Sequence, residues 1–458
     1  MKKKWLFFVV LGCLMGLSPS PAWSEKQKSP KSEEGQKPTT ELYKGLDLFT
    51  KILHLVKEDY VETVQDKEVV YGAIRGMLST LDPHSVFMPP DVYKELKVDT
   101  EGRFGGVGLE VTVKNNNLTV VTPMEGTPAQ KAGIHEGDRI LKIDGVSTKE
   151  LGLAESVRKM RGSRGSHVSL QLLHEGSKEP FEVTLVRDII KIKSVRSEIL
   201  DDEFGYVRIS TFQEKTSEEL EKALGELNKK SKNGLKGLIL DLRNNPGGLL
   251  DEAVNVSDLF LDSGTIVTTA SRIQEIDKRI ATKKNPQPVY PVVIIVNGGT
   301  ASAAEIVAGA LQDHKRATIL GTQTFGKGSV QTIFELGDGS ALKLTIAKYF
   351  TPKGRSIQAE GITPDVVVYS QKNMTSAKTH DRFLREKDLK GHLKSEKEKK
   401  EKKVFEANPL ETTEASSSET QPTEDLQKKA ALEYLRHLVT EPSTKVVNVH
   451  KPRQQPFE

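Results

Sequence analysis

The sequence predicts a multidomain α+β chain: a helical N-terminal region, a small domain of short strands, a mixed α/β core, a polar linker and a last helix. Three observations predict it. Apolar residues step by three or four after Glu41, then break into short strand-like runs between 101 and 190. Between 191 and 370, two apolar runs, Leu238–Leu242 and Val292–Val296, read as strands buried on both faces. Each ends in glycines that lead into a helical pattern. After Ser370 the chain turns to Lys/Glu and then Glu/Thr/Ser blocks with little to bury.

Lys2-Lys3-Lys4, the apolar run Trp5–Leu17 and Ala22-Trp23-Ser24 form a secretory signal pattern over residues 1–24, with cleavage expected after Ser24. The run is short for a membrane span, and retention as an uncleaved anchor stays open. Cys13 is the only cysteine and lies inside this segment. Its removal would leave neither a disulfide nor a thiol nucleophile. The expected compartment is extracytoplasmic, which in a bacterium means the periplasm or cell envelope. With 36% hydrophobic and 28% charged residues, the rest suits a soluble globular protein with polar tails. A net charge of +4 over 458 residues, with no basic helix or aromatic–basic platform, argues against nucleic acid as a partner.

Residues 25–40 read as a linker and 41–100 as a helical region. Leu46, Phe49, Leu53, Val56 and Tyr60 share one helical face, and a second helix is expected from Asp66 to Leu81. The turn Asp82-Pro83-His84-Ser85 follows, where His84 is expected to be satisfied by local backbone. The strand-rich segment 101–190 opens on Arg103-Phe-Gly-Gly-Val-Gly108-Leu-Glu-Val and continues through Gly137-Asp-Arg-Ile and Asp144-Gly turns. In the core, 191–370, Leu238–Leu242 ends in Arg243-Asn-Asn-Pro-Gly247-Gly248 before a helix from Leu250 to Phe260. This layout repeats around Ser302, so two strand ends are expected to converge, as α/β sites usually require. Residues 371–425 read as a linker, disordered from 394. The last helix, 426–440, is expected to dock on the core or on another subunit.

Ser302 falls where a buried strand passes into a helix N-terminus, whose free N–H groups and positive dipole end favour a developing oxyanion. Ser302-x-x-Glu305 also fits a capping box, the commoner job for such a serine. What favours a nucleophile is Lys327, framed by Gly326 and Gly328, because a lysine buried towards neutrality can deprotonate a serine. Gln331 could orient that amine. A straight strand would separate the two by about 13 Å, so contact requires a turn or bulge. Two rivals fail. Gly321–Gly328 nearly matches a P-loop, but Gly328 replaces the magnesium-holding Ser or Thr and a strand pattern follows. His314 lies about 18 Å along the helix from Ser302, too far to pair.

Asn-Gly-Gly-Thr-Ala-Ser302-Ala-Ala-Glu and Thr-Phe-Gly-Lys327-Gly-Ser-Val-Gln331 resemble the catalytic signatures of the carboxy-terminal processing (tail-specific) serine proteases, with Ala304 where relatives often carry a second serine. The resemblance spans roughly 40–370 and the last helix. It implies a ClpP/crotonase-like core with Ser302 as nucleophile, Lys327 as general base and Gln331 in support. The oxyanion hole would be the N–H groups of Gly248 (Gly247 as fallback) and Ala303. Residues 101–190 resemble a PDZ domain whose carboxylate-binding loop would be Gly105, Gly106, Val107, Gly108 and Leu109. A substrate tail would add to the following strand edge. Arg161 resembles a position implicated in gating. The implied partners are proteins with unstructured C-termini; no metal or cofactor is implied. An adaptor, a homo-oligomer and membrane association through the N-terminus stay open.

Overall fold

The structure, a computed structural model, describes residues 40–272, 276–282, 289–370, 384–395 and 425–440. The signal pattern and the linker at 25–39 lie outside the described residues, as does most of 371–425. The chain divides into two compact units, residues 1–70 and 71–458. In the first, helix Thr40–Asp59 carries the expected apolar stripe yet buries none of its residues. No helix among the described residues is long and apolar enough to cross a membrane.

The second unit is built on a six-stranded sheet in the order Val195–Leu200, Phe204–Ile209, Gly237–Asp241, Val292–Val296, Ala317–Gly321, Val366–Val367. The first pair is antiparallel and the rest run parallel. Both continuous apolar runs are therefore central strands, and every residue of each is buried. On one face, helices Thr216–Lys230, Leu250–Asp258 and Ala303–Asp313 contribute Leu220, Val256, Val307 and Leu311 to one large apolar cluster. On the other, helix Leu426–Thr440 sets Ala431 and Leu435 against Phe204, Ile239, Val293, Ile295 and Leu320. The last helix thus docks on its own core. Burying Leu435 is worth roughly 1.5–3 kcal/mol. Arg243 pins the helix start, gripping Asp425 with both terminal nitrogens while also bonding Asp241.

A second, antiparallel sheet is organised on the long strand Ala341–Phe350, which pairs with Val86–Met88, Thr265–Ser271 and Ser329–Glu335. Helix Asp66–Leu78 is three residues shorter than expected. A further helix, Pro90–Glu101, leads into the inserted domain. That domain's sheet runs Leu109–Lys114, Asn117–Pro123, Arg139–Ile143, His167–Leu173, Phe181–Val186, so Leu109–Lys114 is an edge strand. Its entry and exit lie side by side: the Ile192 N–H donates to Gly102 at 2.8 Å, and Gln213 Nε2 donates to the Ile192 carbonyl.

The expected linker 371–425 is not structureless throughout. Residues 384–395 pack on the core, with a 3-10 turn over Glu386–Asp388 and Glu386 fully buried. A single buried carboxylate, bonded to buried Gln358 and half-buried His84, overrides the polar composition that suggested a linker.

Candidate active site

The two strand–loop–helix units do converge. Strands Gly237–Asp241 and Val292–Val296 are parallel neighbours, and their loops are laced together. Asn297 Oδ1 accepts the Asn244 N–H at 2.9 Å, Asn297 Nδ2 donates to Asn244 Oδ1 at 2.9 Å, and Thr300 Oγ1 donates to the Leu242 carbonyl at 2.8 Å. The Ala301 N–H donates to the Asn245 carbonyl.

Ser302 stands at the first residue before helix Ala303–Asp313 with φ 54° and ψ −116°. A serine pays for that conformation with strain of order 1–3 kcal/mol, and such strain clusters where a side chain must be aimed. Ser302 is buried, and its side chain lies beside that of buried Tyr349. The expected capping box is in place, with Glu305 Oε2 accepting the Ser302 N–H at 2.8 Å.

Glu305 does more than cap. The same Oε2 accepts the Lys327 N–H at 2.9 Å, while Oε1 accepts the Gly326 N–H at 2.7 Å and the Thr324 hydroxyl at 2.5 Å. One fully buried carboxylate therefore ties the serine motif to the lysine motif. Burial pushes the Glu305 carboxyl up to about 7, against the pull of its four donors. The sequence offers Glu305 only as a cap, because nothing local shows that its other contacts lie at 324–327.

Burial lowers the Lys327 ammonium from 10.5 to about 8, and the charge of neighbouring Lys343 adds to the effect. Glu386, Asp82 and Glu305 pull the other way. Around them a polar network runs far from the two motifs. Asp82 accepts the His84 and Ser85 N–H groups and the hydroxyls of Ser85 and Thr345. Burial would raise its carboxyl, yet these bonds hold it below the usual value. His84 corrects an expectation: its ring pairs with Glu386 Oε2 at 2.8 Å rather than with local backbone. Glu386 also accepts from Gln358 Nε2, and Gln358 Oε1 receives the Gly328 N–H at 3.0 Å.

Gln331 sits beyond a bulge between Val330 and Gln331. Its amide nitrogen donates to Ser329 Oγ at 2.8 Å and Thr345 Oγ1 at 3.3 Å. It thus meets the Asp82 network rather than bonding the Lys327 amine. His314 bonds the Thr265 carbonyl, apart from Ser302.

The loop after Gly237–Asp241 carries Gly247 and Gly248 at φ 104° and 137°. A Cβ on Gly247 would lie 2.8 Å from Ser302 Cβ, and one on Gly248 would lie 2.1 Å from the Phe212 carbonyl oxygen. Only glycine fits either place. Gly247 spends its N–H on Asn245 Oδ1 at 2.9 Å. Among the described residues the N–H groups of Gly248 and Ala303 have no protein acceptor, and Gly247 packs against the Ala303 nitrogen.

In the inserted domain, Gly105 and Gly106 belong to a short strand, Arg103–Gly106, paired with Asp188–Lys191. The turn proper is therefore Val107–Gly108. Gly108 has φ 79° and would collide with Thr127 if it carried a side chain. Leu109 then starts the edge strand. Arg161 ends the helix Thr148–Met160; its guanidinium stacks 4.9 Å over the Phe104 ring and lies 3.9 Å from Glu95.

Comparison with known proteins matches these parts. The family model "Peptidase family S41" covers residues 203–368, "PDZ domain" 105–185 and "Activating protease CtpB N-terminal domain" 12–92. A carboxy-terminal-processing protease of Bartonella bacilliformis is 47% identical over 358 residues, spanning 78% of this chain and 82% of its own. The carboxy-terminal processing protease CtpA of Bacillus subtilis is 38% identical over 333 residues, 72% of this chain and 71% of its own. Among solved structures, a photosystem II D1 C-terminal processing protease is 34% identical, covering 72% of this chain and 94% of that one at a TM-score of 0.42. With a PDZ domain inserted ahead of a serine-peptidase core, the chain belongs to the carboxy-terminal processing serine proteases.

Proposed function

We propose that this peptidase is an extracytoplasmic Ser–Lys enzyme that binds proteins by their unstructured C-terminal tails and cuts them upstream. The observation that carries the dyad is the Glu305 carboxylate, which accepts the Ser302 and Lys327 N–H groups on one oxygen. Two residues so braced, one strained and one with its amine lowered to about 8, suit a nucleophile and its base. The neutral Lys327 amine takes the proton from Ser302 Oγ as Oγ bonds to the scissile carbonyl carbon. The oxyanion receives the unclaimed N–H groups of Gly248 and Ala303. Lys327 returns the proton to the departing amine; a water, deprotonated by the same lysine, then bonds to the acyl carbon, and Lys327 gives that proton to Ser302 Oγ as the ester bond breaks.

Tail capture rests on the edge strand Leu109–Lys114, which follows the glycine turn and leaves a backbone edge for an added strand. Export rests on the N-terminal signal pattern. Ser302→Ala and Lys327→Ala should each lower hydrolysis of a protein with a disordered tail by at least about 10⁴-fold, with circular dichroism unchanged. Amidating the tail carboxyl should raise KM for the parent enzyme. Substantial cleavage by Ser302→Ala would return that serine to a capping role. Sequencing the N-terminus of the mature protein tests export; an intact Met1 in the cytoplasm would refute it.

A further inference from the structure

Outside the catalytic core, the PDZ domain brings two imidazoles and a carboxylate together. Strands Arg139–Ile143 and His167–Leu173 pair with Arg139 opposite Leu173. The next residue outward on each side, Asp138 and His174, is thereby placed face to face. Their side chains meet, His174 Nδ1 lying 2.8 Å from Asp138 Oδ1. The other carboxylate oxygen of Asp138 accepts the His135 N–H at 2.9 Å, which folds the loop back and presents the His135 ring on the same side. One donor atom from each of His135, Asp138 and His174 falls within 4.8 Å of the others.

Burial sorts the three. Asp138 is 2% exposed and fixed, whereas the His135 ring is at the surface and can swing. His174 is held flat on Phe181, ring centroids 4.3 Å apart, and its ring lies 5.6 Å from that of His135. One fixed anion, one restrained imidazole and one adjustable imidazole can close on an ion, leaving a fourth position to water. Neither the nucleophile nor the tail-binding edge uses any of these side chains.

We propose that His135, Asp138 and His174 form a binding site for a divalent transition cation of the zinc class. Imidazole nitrogen with carboxylate oxygen suits borderline ions such as Zn²⁺, and each donor would sit about 2.0–2.2 Å from the metal. Closing from the present spread needs side-chain rotation at His135 and exchange of the His174 Nδ1–Asp138 Oδ1 hydrogen bond for two bonds to the ion. The bound ion would cross-link the 133–138 loop to the end of strand His167–Leu173 and so stabilise the peptide-binding domain. The ion is structural in this role and takes no part in the serine chemistry.

The test is titration of the untagged full-length protein with Zn²⁺ by calorimetry, alongside thermal unfolding with and without the ion. The expected result is saturable binding of one ion per chain and a rise in Tm. His135→Ala and His174→Ala should each weaken binding by at least about tenfold and abolish the rise. His167→Ala, which removes another exposed histidine, should leave both unchanged. Asp138→Asn is less informative alone, because Asp138 also holds the loop. No saturable binding, or binding equally strong in the His135 and His174 variants, would overturn the proposal, as would equal loss in His167→Ala.

Discussion

The two strand–loop–helix units of the core share a layout and solve opposite problems. After Gly237–Asp241 the chain turns through glycines at positive φ, which removes side chains so that a neighbour can approach and an N–H can face outward. After Val292–Val296 it turns through a serine at positive φ, which keeps a side chain where backbone preference disfavours one. One loop makes space; the other holds a group under strain within it.

Substitution can set the two loops against each other. Gly247→Ala should damage fold and activity together, because its Cβ would meet Ser302 Cβ at 2.8 Å with backbone atoms at 3.0 Å close behind. We expect a loss of about 2 kcal/mol of stability from overpacking and strain. Activity should fall roughly 10²-fold or more, as when an oxyanion donor is lost. Unchanged kcat in urea-stable protein would show that the loop tolerates bulk. Ser302→Gly should be inactive yet at least as stable in denaturant titration as the parent, since relief of strain offsets the flexibility of glycine. A clear destabilisation would show that Ser302 is held by contacts rather than under strain.

Glu305→Gln tests the brace between motifs. An amide nitrogen must then face N–H donors on one side, so kcat should drop by roughly 10–100-fold, equivalent to about 1–3 kcal/mol for an unmade buried bond. The pH dependence supplies a signature beyond structure. The proposed dyad needs neutral Lys327, so activity should rise with pH through about 8 and level off above. Glu305 raises the lysine's pKa, so its neutral replacement should move that midpoint to lower pH. Lys343→Met, the mildest change, removes a repelling charge; Lys327 then holds its proton more firmly and the midpoint should move to higher pH. Shifts in the same direction in both variants would refute this account of the lysine.

These residues also mark what could be read in advance. The serine and lysine motifs that carry the proposed dyad stand out in the sequence because each is framed by glycines and small residues that fit few local structures. The strands were legible because Val292–Val296 and Leu238–Leu240 have no polar face. The supporting network was not. Asp82 meets Thr345, and His84 meets Glu386, across sequence separations of 263 and 302 residues. No periodicity links such partners, and composition around Glu386 pointed to a linker. Gln331 is expected to orient the Lys327 amine, but its amide nitrogen bonds Ser329 and Thr345 instead, beyond a bulge that only the sheet register reveals. The docking of the last helix is likewise invisible in sequence, because it depends on Gly237, whose missing side chain admits Leu435.

That last helix also sets a clock. The apolar face made by Ile239, Val293 and Ile295 stays bare until Ala431 and Leu435 arrive. Some sixty residues separate Val366–Val367, the last strand of the sheet, from Leu426, so at ~5–20 residues per second the finished core waits several seconds for its cover. A newly made chain can hold every residue of the cutting apparatus and still lack a closed core.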